Sequence, residues 1–240
     1  MLAVDVGTGR LSTLTRRQGG AGVQEKTKRA RRLPREVRER QILDAAVEVF
    51  SANGYHAASM DEVAEVAGVS KPMVYTYLGS KEDLFAKCIR REAKRLLDAV
   101  AEGVDTDMSP DMQLWSGLRS FFSFVGDNRS SWLVLHRQAL SVGGSFAEEI
   151  SQMRARSIEL VAAVVVATGT RQGIGEQAEK SAEGLAAALV GAAESLAVWW
   201  LDHPDVSDGL LASWLMNLVW LGFGDLVKGE VWTPNLPAAT

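Results

Sequence analysis

The sequence predicts an all-α protein of about nine helices, and two observations carry this prediction. Apolar side chains recur at helical spacing along most of the 240 residues, and no segment shows the strict alternation of a half-buried strand. Serine, proline and glycine fall between these periodic segments, where helices begin and end. The content of 47% hydrophobic and 23% charged residues is typical of a globular chain with a buried core.

The first helix is expected to open at Pro34, because proline is tolerated at a first helical position. Ile42, Ala46, Val49 and Phe50 keep the spacing of one apolar face. Gly54 is expected to end this helix, as a glycine after a last turn commonly does.

Serine residues predict the starts of the next three helices. Ser59 and Glu62 form a capping-box pattern, in which the serine oxygen accepts from a free backbone N–H and the glutamate reaches back. Ser70 is expected to cap a short helix over residues 71–77, with Pro72 in its first turn. Ser80 and the residues after it open a long fourth helix.

The remainder of the chain carries apolar stripes at helical spacing, interrupted by glycine and proline breaks. We expect five further helices, at residues 110–126, 129–143, 146–168, 176–202 and 207–224.

Charge is distributed unevenly along the chain, whose net charge is −4. Residues 1–40 hold 11 Lys/Arg and 4 Asp/Glu, a balance of +7, whereas residues 101–240 hold 8 and 17, a balance of −9. A basic front on an acidic body predicts that the front contacts a polyanion. The bases between Lys26 and Arg40 either touch DNA or serve a merely solubilising tail.

A helix-turn-helix is the most informative pattern in the chain. Met60, Val63, Ala64 and Ala67 form one helix face, Gly68 supplies a tight turn, and a second short helix follows. That second helix begins with Lys71 and is rich in hydroxyl groups. The N-terminal end of a helix directs free N–H groups and the positive end of its dipole toward phosphate.

Residues 38–85, with Tyr75-x-Tyr77 and Ser80-Lys81 after the helix-turn-helix, resemble the N-terminal domain of TetR-family transcriptional regulators. The resemblance implies a homodimer on a palindromic double-stranded DNA operator, with a C-terminal domain whose ligand controls DNA affinity. The family's usual mode implies repression, with release by a small hydrophobic effector. Four segments are then expected: a flexible basic arm at 1–33, the helix-turn-helix domain at 34–80, an effector-binding and dimerisation domain at 81–228, and a tail at 229–240.

Residue roles follow from the resemblance position by position. Base contacts are expected from the exposed front of the recognition helix, and phosphate contacts from hydroxyls and cations around it. For the capping serines Ser59 and Ser70 a purely structural role is equally expected. For Tyr75 and Tyr77 the alternative is partial burial in the core. The expected DNA-contacting residues are Lys71, Met73 and Thr76 for the bases, Ser70, Tyr75 and Tyr77 for phosphates, and Ser59 and Lys81 flanking the backbone.

Two copies of the chain are expected to form a dimer through their last two helices. The first has a small-residue stripe that permits close helix approach, and the second is apolar almost all round, so that a two-fold partner is its natural cover. The expected interface residues are Ala192, Trp214, Leu218, Trp220 and Leu221.

Aromatic and methionine side chains on the middle helices are the candidates for an effector pocket, although most of them are expected to be ordinary core. The stretches Trp132-Leu-Val-Leu-His136 and Trp199-Trp200-Leu-Asp resemble fatty-acid-responsive members of the TetR family, and this resemblance implies a fatty acyl effector. His136 could orient the ligand's polar group, or be a satisfied internal histidine. The six candidates are Trp115, Phe122, Trp132, His136, Met153 and Trp199.

Other classes of function are less well supported. No Ser/His/Asp set, Cys/His pair or nucleotide-binding glycine pattern has usable spacing, so we do not expect an enzyme. Cys88 is the single cysteine and the histidines are scattered, so no disulfide, metal or cofactor is expected. The apolar stretches are too short for a membrane span, which favours a cytoplasmic protein. The alternative is an architectural DNA-binding protein with little sequence specificity and no inducer.

Overall fold

The protein is described by a computed structural model that covers residues 34–171, 173 and 175–227, with the side chains of residues 177 and 220–227 left out. Within this part the chain forms nine helices and no strand, which confirms the predicted all-α class. The predicted arm at 1–33 and tail at 229–240 lie outside the described residues.

The first four helices begin close to the predicted positions. Their bounds are α1 Arg35–Ala57, α2 Met60–Val66, α3 Lys71–Leu78 and α4 Lys81–Glu102. Gly54 kinks α1 rather than ending it, because its φ of 76° leaves the helical region while the chain resumes a last turn.

The remaining five helices follow the predicted segments, with two differences. Their bounds are α5 Pro110–Asp127, α6 Arg129–Leu133 continued by Val134–Gln138 and Ala139–Val142, α7 Gly144–Arg171, α8 Gly175–Leu201 and α9 Asp208–Val227. The middle part of α6 is π-helical, which side-chain spacing does not reveal. Helix α7 extends beyond the predicted 146–168 at both ends.

Helices α1 to α3 form a small unit that we call the head. Ile42 and Phe50 of α1, Val63 of α2 and Val74 of α3 are almost fully buried in it. Ala64, which is 5% exposed, lets α2 and α3 approach because its side chain is small. The core of the head is thus made by the faces that the apolar spacing predicts.

Helix α4 connects the head to the rest of the chain, which we call the body. Phe85 of α4 contacts Phe50 of the head, with ring centroids 4.8 Å apart, and Phe146 of α7, with centroids 4.9 Å apart. Leu84, Phe85, Cys88 and Ile89 are fully buried. The hydrophobic core is therefore continuous from the head into the body.

The body is built on two extensive helix pairs. Helix α8 packs along α7, and α9 packs against α5. The small residues of α8 serve this packing: Ala186 and Ala193 are buried within the chain, and Ala192 packs against its core, while its place at a dimer interface stays a prediction. A Cβ on Gly191 would lie 3.1 Å from Arg154 of α7, so this stripe permits approach to α7.

Candidate DNA-binding head and ligand cavity

Helix α3 is the most exposed helix of the head and is fixed by two inward side chains. Val74 and Leu78 are buried, whereas Lys71, Tyr75 and Thr76 face solvent. The turn before it uses Gly68 at φ 62°, where a side chain would be strained. The structure therefore presents one polar face of α3 outward, as in a helix-turn-helix that enters a DNA groove.

Lys71 already has an ionic partner on α2. Its Nζ lies 2.8 Å from Asp61 Oδ2, and both side chains are largely exposed. The hydrogen bond with Asp61, and then the charge of that carboxylate, raise the pKa of Lys71. The lysine therefore remains a cation at the start of α3, and a DNA phosphate or base would compete with Asp61 for it.

The first two of the three predicted serine caps, Ser59 and Ser70, differ from each other. The Ser59 hydroxyl accepts from the backbone N–H of Glu62 at 3.1 Å, as expected. The predicted return bond from Glu62 is wrong, because its carboxylate accepts from Asn53 Nδ2 at 2.6 Å instead. The Ser70 side chain makes no capping hydrogen bond: Pro72 has no N–H to donate, and the Met73 N–H bonds the Ser70 backbone oxygen at 2.9 Å.

The other predicted contact residues of α3 take three different positions. Tyr75 is 46% exposed and points to solvent, whereas Tyr77 is half-buried under the guanidinium of Arg35, 5.6 Å from its ring centroid. The Thr76 hydroxyl donates to the Pro72 carbonyl at 2.8 Å, so toward DNA it can only accept. Met73 is half-buried. Contact of any of these residues with DNA stays a prediction.

The start of α4 is held by a capping box and by Lys81. Ser80 accepts from the Asp83 N–H at 3.1 Å, and the Asp83 carboxylate accepts from the Ser80 N–H at 2.9 Å, which confirms the predicted start. The hydrogen bonds from Ser80 hold the pKa of Asp83 below its ordinary value. Lys81 Nζ donates to the His56 carbonyl at 3.1 Å and lies over the Tyr55 ring, so it joins α4 to the end of α1.

Two residues that the sequence analysis did not identify, Gln41 and Lys87, donate hydrogen bonds to carbonyls at the C-terminal ends of the short helices. Gln41 Nε2 donates to the Ala67 carbonyl at 2.6 Å, and Lys87 Nζ donates to the Leu78 carbonyl at 3.2 Å. The last carbonyls of a helix have no partner within it, so these bonds stabilise α2 and α3. Only the folded chain brings the partners together, and no local pattern could have found them.

A cavity of about 430 Å³ lies among α4, α5, α7 and α8. Its wall is mostly apolar carbon, from side chains such as Leu96, Val100, Leu114, Phe121, Val161 and Leu189. Gln113, Ser157 and Glu194 add polar groups. This size and lining are typical of a site for a largely apolar small molecule.

Two of the six predicted pocket residues, Trp132 and Met153, lie in the cavity wall. The structure places the other four elsewhere, because helical spacing predicts an inward face but not where packing leaves a space. Phe122 is fully buried against neighbouring rings, Trp115 lies under Arg119, Trp199 is 39% exposed on the surface, and His136 stacks on the Trp132 ring 5.0 Å away.

Glu194 of the cavity wall belongs to a polar cluster with Arg154 and His136, which lie outside the wall. Arg154 Nε lies 3.0 Å from Glu194 Oε2, and both charges act on His136. Burial, partly offset by Glu194, lowers the pKa of His136, which is therefore neutral at pH 7. Trp132 Nε1 is a buried donor without a hydrogen-bond partner among the described residues.

The described part of α8 and α9 leaves an apolar surface uncovered. Leu218 is 73% exposed and Trp214 is 43% exposed on α9, and the Trp214 ring lies 6.1 Å from the ring of Trp199 on α8. The predicted interface side chains of Trp220 and Leu221 lie outside the described residues. Large exposed apolar side chains that cluster mark an interaction surface.

No group of three metal-ligating side chains occurs in the part of the chain that the structure describes. By length and composition one helical segment in that part, Ala178–Leu201, could cross a membrane. Its residues Ala182, Ala186 and Leu189 are buried inside the protein, and buried core helices meet the same criterion.

The fold and the exposed α3 define a helix-turn-helix DNA-binding protein with a helical second domain. The family model of bacterial regulatory proteins, tetR family, matches residues 42–88, and the model of the Tetracyclin repressor-like, C-terminal domain matches residues 110–222. A TetR-like transcriptional regulator from Rhodococcus sp. RHA1 is 43% identical, with 80% of this chain and 99% of that chain covered and a TM-score of 0.69. The chain belongs to the TetR family of transcriptional regulators.

Two further proteins are similar to this chain, one in sequence and one in fold. The HTH-type transcriptional activator FasR of Mycolicibacterium smegmatis is 41% identical over 98 residues, which are 41% of this chain and 45% of that protein. The crystal structure of the transcriptional regulator FadR from Bacillus subtilis in complex with stearoyl-CoA has a TM-score of 0.59 and 19% identity, and it covers 75% of this chain and 96% of that one. At this identity the second likeness shows the fold alone.

Proposed function

We propose that the protein is a homodimeric regulator that binds a palindromic operator through α3 and leaves it when an effector with a long acyl chain fills the cavity. The observation that carries this proposal is the pairing, in one chain of a regulator family, of an outward recognition helix with an apolar cavity of about 430 Å³. An architectural DNA-binding protein has no need of such a cavity.

Two copies of the head are needed for the proposed operator. The exposed apolar surface with Leu218 and Trp214 supports a two-fold dimer, because a C2 interface pairs the same patch from both subunits. The two α3 helices would then enter successive major grooves, about 34–36 Å apart or a multiple of that distance. Lys71 at the start of α3 is the proposed base-contacting cation.

The cavity supports an effector that is mostly hydrocarbon with one polar end. Leu, Val and Phe side chains of the wall suit an acyl chain, and Gln113, Ser157 and Glu194 offer polar groups to the other end of the ligand. The FadR from Bacillus subtilis, which has the same fold, was crystallised with stearoyl-CoA, and we therefore choose this molecule as the effector to test.

The proposed switch is a change in the angle of α4, which starts at Lys81 beside the head and ends in the cavity wall at Val100 and Ala101. An effector shifts DNA binding only if it binds one arrangement of the chain more tightly than the other. Filling the cavity would favour the arrangement in which the two heads no longer match the operator spacing.

Repression is the expected direction of regulation. The activator name of FasR belongs to that relative, and a reporter gene behind the selected operator decides the direction here. Loss of reporter expression when the protein is supplied, and its recovery on addition of the effector, supports repression. A cytoplasmic location and a DNA contact of the basic arm at residues 1–33 belong to the same proposal.

The test is selection of bound duplexes from a random pool, followed by titration of stearoyl-CoA into the complex. We expect a palindrome with half-sites about one helical turn apart and release of the DNA by stearoyl-CoA but not by coenzyme A alone. Deleting residues 1–33 should flatten the dependence of affinity on salt, because each phosphate contact steepens it. Binding of all duplexes with equal affinity at every salt concentration would support the architectural alternative.

A further inference from the structure

Glu92 is the one charged residue in the described part of the chain whose side chain is fully buried. It lies on α4, between the head and the cavity. A buried carboxylate is costly unless it is paired and hydrogen-bonded, so its partners determine what it does.

Each oxygen of the Glu92 carboxylate is bound by one arginine of the same helix. Arg91 Nε lies 2.6 Å from Oε1, and Arg95 Nη1 lies 2.7 Å from Oε2. Both guanidinium groups extend toward the protein surface, where they are partly exposed. Glu92 therefore fixes two long side chains on one face of α4, because Arg91 and Arg95 are four residues apart.

The two arginines connect α4 to the head and to the body. Arg91 Nη1 lies 2.8 Å from Asp44 Oδ1 of α1. Arg95 Nη2 donates to Asn128 Oδ1 at 2.7 Å, in the turn between α5 and α6. A chain of charged contacts thus runs from α1 through Glu92 to the end of α5, and we call these five residues the Glu92 network.

The body end of the network lies next to the cavity. Phe121 of α5 is in the cavity wall, and Asn128 Nδ2 donates to the carbonyl of Phe124, one turn later on that helix. On α4, Leu96 and Leu97 of the cavity wall follow directly after Arg95. A displacement of α4 or α5 by a bound molecule would move the partners of Arg95.

We propose that Glu92 is a positioning residue that couples the cavity to the head, by holding Arg91 on Asp44 of α1 and Arg95 on Asn128 of the body. Because one buried carboxylate binds both arginines, a change at Asn128 that moves Arg95 also changes how Glu92 holds Arg91 on Asp44. The effect on DNA rests on the proposed function, whereas the mechanical coupling between body and head does not.

The first experiment measures hydrogen exchange in α1 of the full-length protein without any ligand. The variant Asn128→Ala removes the hydrogen bond that Arg95 makes to the body and leaves its guanidinium over the Phe124 ring, and Asn128→Asp restores an acceptor for it. We expect exchange in residues 38–50 to accelerate about tenfold in Asn128→Ala, and not in Asn128→Asp. Asp98→Asn, which breaks the exposed pair with Lys94 on the same helix, is the matched control. Unchanged exchange in Asn128→Ala would overturn the proposal.

The second experiment measures the ratio of operator affinities without and with saturating stearoyl-CoA. In Glu92→Gln and Asn128→Ala this ratio should fall roughly two- to thirtyfold, and in Asp98→Asn it should keep the wild-type value. Asn128→Ala keeps the buried Glu92 pair, so it serves if Glu92→Gln does not fold. If stearoyl-CoA has no effect on the wild-type protein while the exchange result holds, the effector proposal fails and the coupling proposal stands. An unchanged ratio in a folded variant would mean that Glu92 is merely structural.

Discussion

Replacement of Gly79 by alanine tests how much the turn between the recognition helix α3 and helix α4 contributes to the stability of the protein. Gly79 has φ 84° and ψ −147°, a conformation that costs other residues about 1–3 kcal/mol. An alanine Cβ would lie 2.6 Å from Asp83 Oδ2. That oxygen accepts from the Ser80 N–H at 2.9 Å and from its hydroxyl at 2.7 Å, so it moves away only by breaking the capping box.

The expected loss is the sum of two effects. Backbone strain contributes about 1–3 kcal/mol and the lost cap about 1 kcal/mol, so Gly79→Ala should lower the free energy of unfolding by about 2–4 kcal/mol. Gly143 is the matched control, since its φ of 75° and ψ of −158° are similar and an added Cβ meets nothing within 4 Å. In Gly143→Ala, therefore, backbone strain alone should lower the free energy of unfolding.

Urea unfolding followed by circular dichroism measures the difference between the two variants. The loss should be about 1 kcal/mol larger in Gly79→Ala than in Gly143→Ala. Adding Asp83→Ala to Gly79→Ala should cost less than it costs alone, because the clash has already broken the cap. Equal losses in the two glycine variants would refute the reasoning.

Three further predictions concern the core, a histidine and the surface of α9. Burial raises the pKa of the Cys88 thiol to about 12, so a thiol reagent at pH 8 should modify it only in urea, and rapid native reaction would contradict the described packing. Burial lowers the pKa of His136 from its ordinary 6.5, so the stability that the neutral ring contributes is fully present above pH 6.5 and is lost as the pH falls through the lowered pKa. Unfolding measured as a function of pH should show this loss of stability in the wild type. The same loss in His136→Gln would mean that another group causes it. Leu218→Glu should give monomers in size-exclusion chromatography with light scattering, whereas Leu140→Glu, at another exposed leucine, should not; dimers of both variants would exclude this surface.

Local signals in the sequence predicted the helices well, because their causes are local. The capping box at Ser80 depends on residues within one turn, and the glycine turn before α3 depends on a single backbone conformation. The failures at Ser70 and Glu62 have different causes: a proline in the same turn removed the N–H of one cap, whereas Asn53 of another helix, α1, binds the carboxylate of the other.

The sequence could not predict contacts between residues that are distant along the chain, nor the position of the cavity. Asp61 and Lys71 stand ten residues apart, and only the angle between α2 and α3 brings their charges within 2.8 Å. Phe122 and Trp132 have the same chemistry and both are buried, yet only Trp132 borders the cavity. Periodicity identifies a buried face, whereas a cavity depends on how several helices pack together.

The most direct test of the central claim, that α3 reads a DNA groove, is the affinity of Lys71→Ala for the selected operator. Lys180→Ala is the control, since Lys180 is an exposed lysine with a carboxylate partner on α8 of the body. If α3 lies in the major groove with Lys71 on a base edge, the variant should bind about five- to hundredfold more weakly and tolerate base changes at one position of each half-site. Wild-type affinity and sequence preference in Lys71→Ala, with weakened binding in Lys180→Ala, would place the DNA elsewhere on the protein and contradict the account.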